Sequence, residues 1–263
     1  MPTSPHLLQQ RLDDIGRSLA RSGEALALLG LGSAGADLAR MDAYSDLDFF
    51  AIVRPGRKAQ FINDLSWLTD IAPVAYAFQN TPDGYKLLYA DGVFCEFAVF
   101  EPAELAQASF TAGRVIWQAA EFNEELLKGG ERPFSPTSAP PTADWLLGEA
   151  LTNLYVGLGR YHRGEKLSAM RFIQGYAVDR LLDLAPHLET AQPTLPDPFA
   201  AERRFEQRFP QLAQHLPAFL PGYEHSPAAA RAILTFLAQN FAINPAIQAE
   251  ILALCDQPPT RQE

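Results

Sequence analysis

Cysteine is scarce in this chain: two among 263 residues, Cys95 and Cys255, far apart in apolar surroundings. That excludes a disulfide framework and a CxxC-type metal site, and a reducing, cytoplasmic compartment is expected. Positive charge is also in deficit, with 21 Lys and Arg against 31 Asp and Glu and a formal net charge of −10. With no basic excess to release phosphate counterions, sequence-independent binding to nucleic acid is disfavoured. No apolar run approaches a transmembrane span, so no membrane partner is expected. The opening segment carries Asp13 and Asp14 and no continuous apolar stretch, which reads as an amphipathic helix rather than a secretion signal. His6, His162, His187, His215 and His225 make neither HxH nor HExxH spacing, so no histidine metal site is assigned.

What is present is ordinary for a soluble globular chain, at 48% apolar and 20% charged residues. The length suits two modest cores. After a first helix at 5–22, the run Ala25-Leu26-Ala27-Leu28-Leu29 ends in glycines and predicts a buried strand. Leu47 to Val53 is nearly continuous apolar sequence stopped by Arg54-Pro55-Gly56, which predicts a second strand buried on both faces. Residues 57–69 have helical spacing at Phe61, Leu65 and Leu68, closed by Pro73. A strand follows at Val74 to Phe78. Two more, Tyr85 to Tyr89 and Val93 to Phe100, flank Asp91-Gly92, a strong hairpin signal.

The Gly, Pro, Ser and Thr-rich segment from Gly129 to Pro141 has no hydrophobic period and marks an interdomain connection. Beyond it, stripes through Leu146, Leu147, Ala150, Leu151, Leu154 and Leu158, and through Phe172, Ile173, Tyr176, Val178, Leu181 and Leu182, predict helices, with two more near 226–241 and 245–255. The expected fold is α+β: a catalytic domain at 1–130 with a mixed sheet and flanking helices, a linker at 131–143, and an all-α helical bundle at 144–263.

Asp46 and Asp48 flank one residue at the start of the second strand. Because strand side chains alternate, both carboxylates leave the same face, with Cα atoms about 6.6 Å apart. That spacing can grip one hard cation, and Mg²⁺ is commonly held by one or two carboxylates plus substrate phosphates. Glu96 interrupts the otherwise apolar Phe94-to-Phe100 strand. Burying its charge alone would cost several kcal/mol, so it needs a cation, an ion-pair partner such as Arg114, or a shifted pKa. Gly32-Ser33 and Gly35, at the exit of the first strand, allow close backbone approach to phosphates and supply N–H and hydroxyl donors. A phosphate cradle, a metal site and a candidate base are what in-line nucleotidyl transfer requires.

Gly30, Gly32 and Gly35 also spell GxGxxG after a strand, as in a dinucleotide-binding turn. Against it, Tyr44-Ser45-Asp46 arrives before a full helix could intervene, and the acids open the second strand rather than end it. A basic cluster, Arg160, Arg163, Lys166 and Arg171, has two readings of equal standing. It either closes a helix at His162-Arg163-Gly164 or contacts nucleotide phosphates or acceptor across an interdomain cleft.

Gly32-Ser33 followed by Tyr44-Ser45-Asp46-Leu47-Asp48-Phe49 resembles the signature of polymerase-β-like nucleotidyltransferases. In length and layout the chain is similar to the two-domain lincosamide nucleotidyltransferases. That likeness extends through Trp67-Leu68, Asp70-Ile71-Ala72-Pro73, Glu96-Phe97 and Arg163-Gly164-Glu165. The resemblance implies Mg²⁺ at Asp46 and Asp48, with Glu96 as third ligand or as base. It implies nucleotide contacts at Gly32, Ser33 and Ser45, ATP as the nucleoside triphosphate donor, and a small-molecule acceptor, a lincosamide or aminoglycoside-type antibiotic. A homodimer is often found in the family. The alternative is an antitoxin-like or regulatory protein on the same fold, acting on or binding a protein partner.

Overall fold

The computed structural model describes residues 3–35, 38, 41–105, 113–128, 141–193 and 202–258. The chain divides into two compact units, Pro2–Ala139 and Pro140–Glu263. Most of the expected linker, 131–140, lies outside the described residues. No helix among the described residues is long and apolar enough to cross a membrane.

In the first unit, α1 (Pro5–Ser22) starts where the Ser4 hydroxyl accepts the Leu7 N–H and ends at Gly23 in the left-handed region. Its apolar stripe, Leu8, Leu12, Ile15 and Leu19, is fully buried. Among the described residues the sheet has six strands: β1 (Ala25–Gly30), β2 (Leu47–Val53), β3 (Val74–Thr81), β4 (Gly84–Tyr89), β5 (Phe94–Phe100) and β6 (Arg114–Gln118). Their order is β3-β4-β5-β2-β1-β6. Only the β2–β5 pair among these is parallel. The Asp91-Gly92 hairpin forms as the sequence predicts, with β4 and β5 antiparallel and Gly92 at φ 88°.

The two faces of the sheet differ. One packs under α1 in a core containing Leu28, Leu47, Phe49, Trp67, Leu87, Tyr89, Cys95 and Phe97. The Phe49 and Phe97 rings stack at 5.1 Å, and Trp67 meets both edge-on. The opposite face carries a smaller cluster, Leu26, Ala27, Leu29, Ile52, Leu105 and Phe122, joined by α4 (Pro102–Leu105).

The helix expected over 57–69 is broken into α2 (Lys58–Asn63) and α3 (Ser66–Thr69). Asp64 lies between them in an extended conformation, its carboxylate accepting the Ser66 N–H at 2.9 Å. Such a local bond gives the backbone an alternative to the helix. β3 runs to Thr81, three residues beyond its expected end, and so carries Asn80 into the sheet.

In the second unit α5 (Ala143–His162) is central. Against it pack α6 (Lys166–Met170), a π-helical stretch Arg171–Tyr176, α7 (Ala177–Leu188), α11 (Ser226–Asn240) and α12 (Pro245–Asp256). Three single turns, α8 (Phe205–Arg208), α9 (Pro210–Ala213) and α10 (Leu216–Phe219), fill the interval. The basic cluster is engaged locally. Arg160 donates to the Ser168 hydroxyl at 2.6 Å and lies over the Phe172 ring, Arg163 pairs with Glu165, and Lys166 pairs with Glu224. Gly164, at φ 88°, ends α5 as the helix-closing reading expects.

One ion pair, buried on its arginine side and open to solvent on its aspartate side, ties α1 to the hairpin turn. The Arg11 guanidinium, with 6% of the side chain exposed, bonds Asp91 at 2.5 Å and lies 4.1 Å from the centre of the Tyr89 ring. Its Nε and Nη1 find no hydrogen-bond partner among the described residues. Removing the carboxylate would leave a buried, uncompensated charge, whereas an apolar side chain of similar length would not. Asp91→Ala is therefore expected to cost about 3–5 kcal/mol in urea denaturation. Arg11→Met is expected to cost clearly less; equal losses would contradict this.

Candidate functional site

The site is built where β2 enters the sheet. Asp42 nucleates a turn: its backbone N–H donates to the Ser45 hydroxyl at 2.9 Å, and its carboxylate accepts the Tyr44 N–H at 2.9 Å. Asp side chains favour such turns. Asp46 follows, just before the ladder, which starts at Leu47. The Gly32–Ala34 turn is fastened to the same strand by a bond from the Leu31 N–H to the Asp48 carbonyl, 2.8 Å.

The glycines divide into two roles. A Cβ on Gly30 would come within 2.4 Å of the Ala34 carbonyl oxygen, and one on Gly35 within 2.5 Å of that of Gly30. These two let the turn fold back on β1. Gly32 stands at φ 51°, a left-handed conformation, and its backbone lines the groove described next. The dinucleotide-type spacing therefore arises from turn closure.

In the parallel β2–β5 ladder Asp48 is the direct partner of Glu96. Neighbouring strands run about 4.8 Å apart, so the two carboxylates start side by side. By alternation they leave the face opposite the Phe49–Phe97 stack. Both line one groove of about 430 Å³, together with Gly32, Phe50, Asn80, Thr81 and Ala98. Gly32, Asp48 and Glu96 are thus brought together. Asp46 is half-buried and is not among the residues lining this groove. Ser33 and Ser45 are buried, at 6% and 7% exposure, and neither lines it. The Ser45 hydroxyl takes part in the turn that delivers the acids. Among the described residues, no group of three or more His, Cys, Asp or Glu side chains is placed to hold a metal ion.

Two residues around Glu96 escaped the sequence reading, of which Asn80 lines the groove. Asn80 donates from Nδ2 to Glu96 Oε1 at 3.0 Å. Lys86, 8% exposed, is the cross-strand partner of Glu96 on β4. Directly opposed strand residues have Cβ atoms about 4.5–5.5 Å apart. Arg114, one of the alternatives offered as a partner for Glu96, is on β6, three places along the sheet, and its guanidinium donates to the Ala34 carbonyl at 3.3 Å. Lys86 had a signal: it interrupts Tyr85-Lys86-Leu87-Leu88-Tyr89 as Glu96 interrupts its own strand. A ladder hinged on the Asp91-Gly92 turn puts the two opposite each other.

Beneath the acids lies Cys95, fully buried on the helix-covered face. Burial pushes its thiol far above the ordinary range; Arg11 opposes this, while Asp46 and Asp48 push it further up. Burial also raises the Cys255 thiol, to about 11. Both cysteines are free. Neither is equipped as a nucleophile at neutral pH, since the thiolate is the reactive form.

No family model matches the chain, and no curated protein matches it. Among solved structures, an aminoglycoside 6-adenyltransferase from Bacillus subtilis is similar at 13% identity and a TM-score of 0.31, over 92% of this chain and 91% of that one. A CD-NTase from Bradyrhizobium diazoefficiens in complex with GTP is similar at 15% identity and a TM-score of 0.29, over 96% and 95%. Likeness at this level does not establish a shared fold or activity.

Thiol labelling tests the closed floor beneath the acids. At neutral pH the native protein is expected to leave Cys95 unlabelled by an aromatic disulfide reagent, with both thiols reacting once unfolded. Rapid native labelling of Cys95, read by peptide mass, would show that the floor is open.

Proposed function

We propose that the groove binds a nucleoside triphosphate with a divalent cation and transfers a nucleoside monophosphate, AMP from ATP, to a hydroxyl of a small acceptor, with release of pyrophosphate. The observation that carries this is the direct opposition of Asp48 and Glu96 on parallel strands, facing one groove whose rim includes left-handed Gly32. The signature resemblance through Gly32-Ser33 and Asp46-x-Asp48 supports the same reading.

The donor set fits a hard cation. Carboxylate oxygens from Asp48 and Glu96, with Asp46 two residues before Asp48 in the chain, suit Mg²⁺, which takes oxygen ligands and leaves part of its shell to water and substrate phosphates. Two strand-borne acids are therefore a sufficient protein share. When bound, the cation would neutralise charge on the triphosphate. The chain's own contributions are distinct. Asp48 and Glu96 supply negative charge at a fixed separation. The Gly32 turn offers backbone close to the phosphates. Glu96 serves either as a ligand or as the base for the acceptor hydroxyl, and hydrogen-bond reach to that hydroxyl is what a base requires. The acceptor class suggested by the resemblance is a lincosamide or aminoglycoside-type antibiotic.

A second reading is favoured by one observation, that Glu96 already has a resident donor in Asn80 at 3.0 Å and so does not need a cation to be satisfied. In it the groove binds nucleotide without turnover, in an antitoxin-like or regulatory protein.

The test is pyrophosphate release from ATP and Mg²⁺ across a panel of lincosamides, aminoglycosides and peptides. Wild-type protein is expected to turn over with at least one hydroxyl-bearing acceptor. Asp48→Asn is expected to lose more than about 100-fold in rate with an unchanged melting temperature, because a direct metal contact is removed. An unchanged rate in the variant would remove this mechanism; nucleotide binding with no turnover by wild type would favour the regulatory reading.

A further inference from the structure

Glu96 does not hold its own position. A residue that reaches it from beyond the adjacent strand is Asn80, near the end of β3 at the edge of the sheet. β3 and β5 are separated by the width of β4, and a direct amide-to-carboxylate bond of 3.0 Å spans it. The β3–β4 ladder shifts register between Phe78 and Thr81, so Asn80 lies in an irregularity of the strand. Bulges re-aim side chains and recur next to functional sites.

The turn that follows is tied down from three directions. Asp83 forms an ion pair with Lys58 on α2 at 2.6 Å, its carbonyl accepts the Val99 N–H at 2.7 Å, and its N–H donates to the Thr81 hydroxyl at 3.2 Å. Lys58 also holds Glu104 at 2.6 Å. Burial works to lower the Lys58 ammonium, but its bonds to Asp83 and Glu104 prevail and hold it above the ordinary value. Asn80 thus stands on an anchored support.

Resting on the nucleotide-transfer reading above, we infer that Asn80 is a positioning residue for the metal–nucleotide site, fixing the Glu96 carboxylate beside Asp48. Amide donation to one carboxylate oxygen sets the plane of the group, and partners of this kind orient metal-binding carboxylates. Their loss typically weakens metal affinity or activity 10–100-fold. A purely structural asparagine at a strand end would affect stability instead.

The probe is Mn²⁺, followed by its electron paramagnetic resonance signal, with resting protein and with ATP present. Asn80→Ala is expected to raise the Mn²⁺ dissociation constant by about 10-fold or more, with a metal-free melting temperature close to wild type. Asn80→Gln, which keeps the amide donor on a longer arm, is expected to recover part of the loss. Mn²⁺ affinity in Asn80→Ala within twofold of wild type, or a loss tracking a lowered metal-free melting temperature, would overturn the inference alone. Absence of Mn²⁺ binding by the wild type, even with ATP, would overturn it together with the nucleotide-transfer reading.

Discussion

The parallel pairing of β2 with β5 puts Asp48 opposite Glu96, and every chemical property of the groove depends on that register. Below the acids, the adjacent residues Phe49 and Phe97 stack nearly face to face with Trp67 against both edges. Aromatic pairs of this kind add stabilisation beyond their buried area. A slip of one residue in either strand would carry its ring out of the core and its acid into it, so the apolar face enforces the polar one. The fully buried stripe of α1 closes that core and leaves the carboxylate face to the groove.

Side-by-side carboxylates are unfavourable unless compensated. The apolar strand around Glu96 suggests burial and hence a cation, because a lone buried charge is costly, but in the structure Glu96 is half-buried. Once Lys86 is found across the ladder and Asn80 against Oε1, that cost has a resident remedy. Burial alone therefore no longer argues for a metal. What argues for one is the shared groove: two acids and a left-handed glycine meet at one surface accessible to a ligand. Asn80 fixes one oxygen of Glu96, and Lys86 faces Glu96 across the ladder.

Much of this was legible beforehand. Apolar runs and the Asp91-Gly92 turn gave the strands and one pairing, because hydrophobic periodicity and positive-φ turns are local properties. The Asp46-x-Asp48 spacing and the Glu96 interruption pointed to three acids, of which the fold brings Asp48 and Glu96 to one groove and leaves Asp46 off its lining. Asn80 was hidden because its contact crosses β4 and depends on an irregularity in β3 that no local rule dictates. The break at Asp64 was missed because the apolar spacing through Phe61, Leu65 and Leu68 continues across it. Gly35 looked like part of a phosphate cradle, yet its close contact, like that of Gly30, is within its own turn, which only the folded backbone discloses.

The central claim is that Asp48 and Glu96 bind nucleotide through a divalent cation. Isothermal titration with a non-hydrolysable ATP analogue, in Mg²⁺ and then in excess chelator, addresses it directly. Saturable binding is expected in Mg²⁺, with a loss of about 100-fold or more when the cation is removed. Equal affinity in chelator, or no binding in either condition, would contradict the claim.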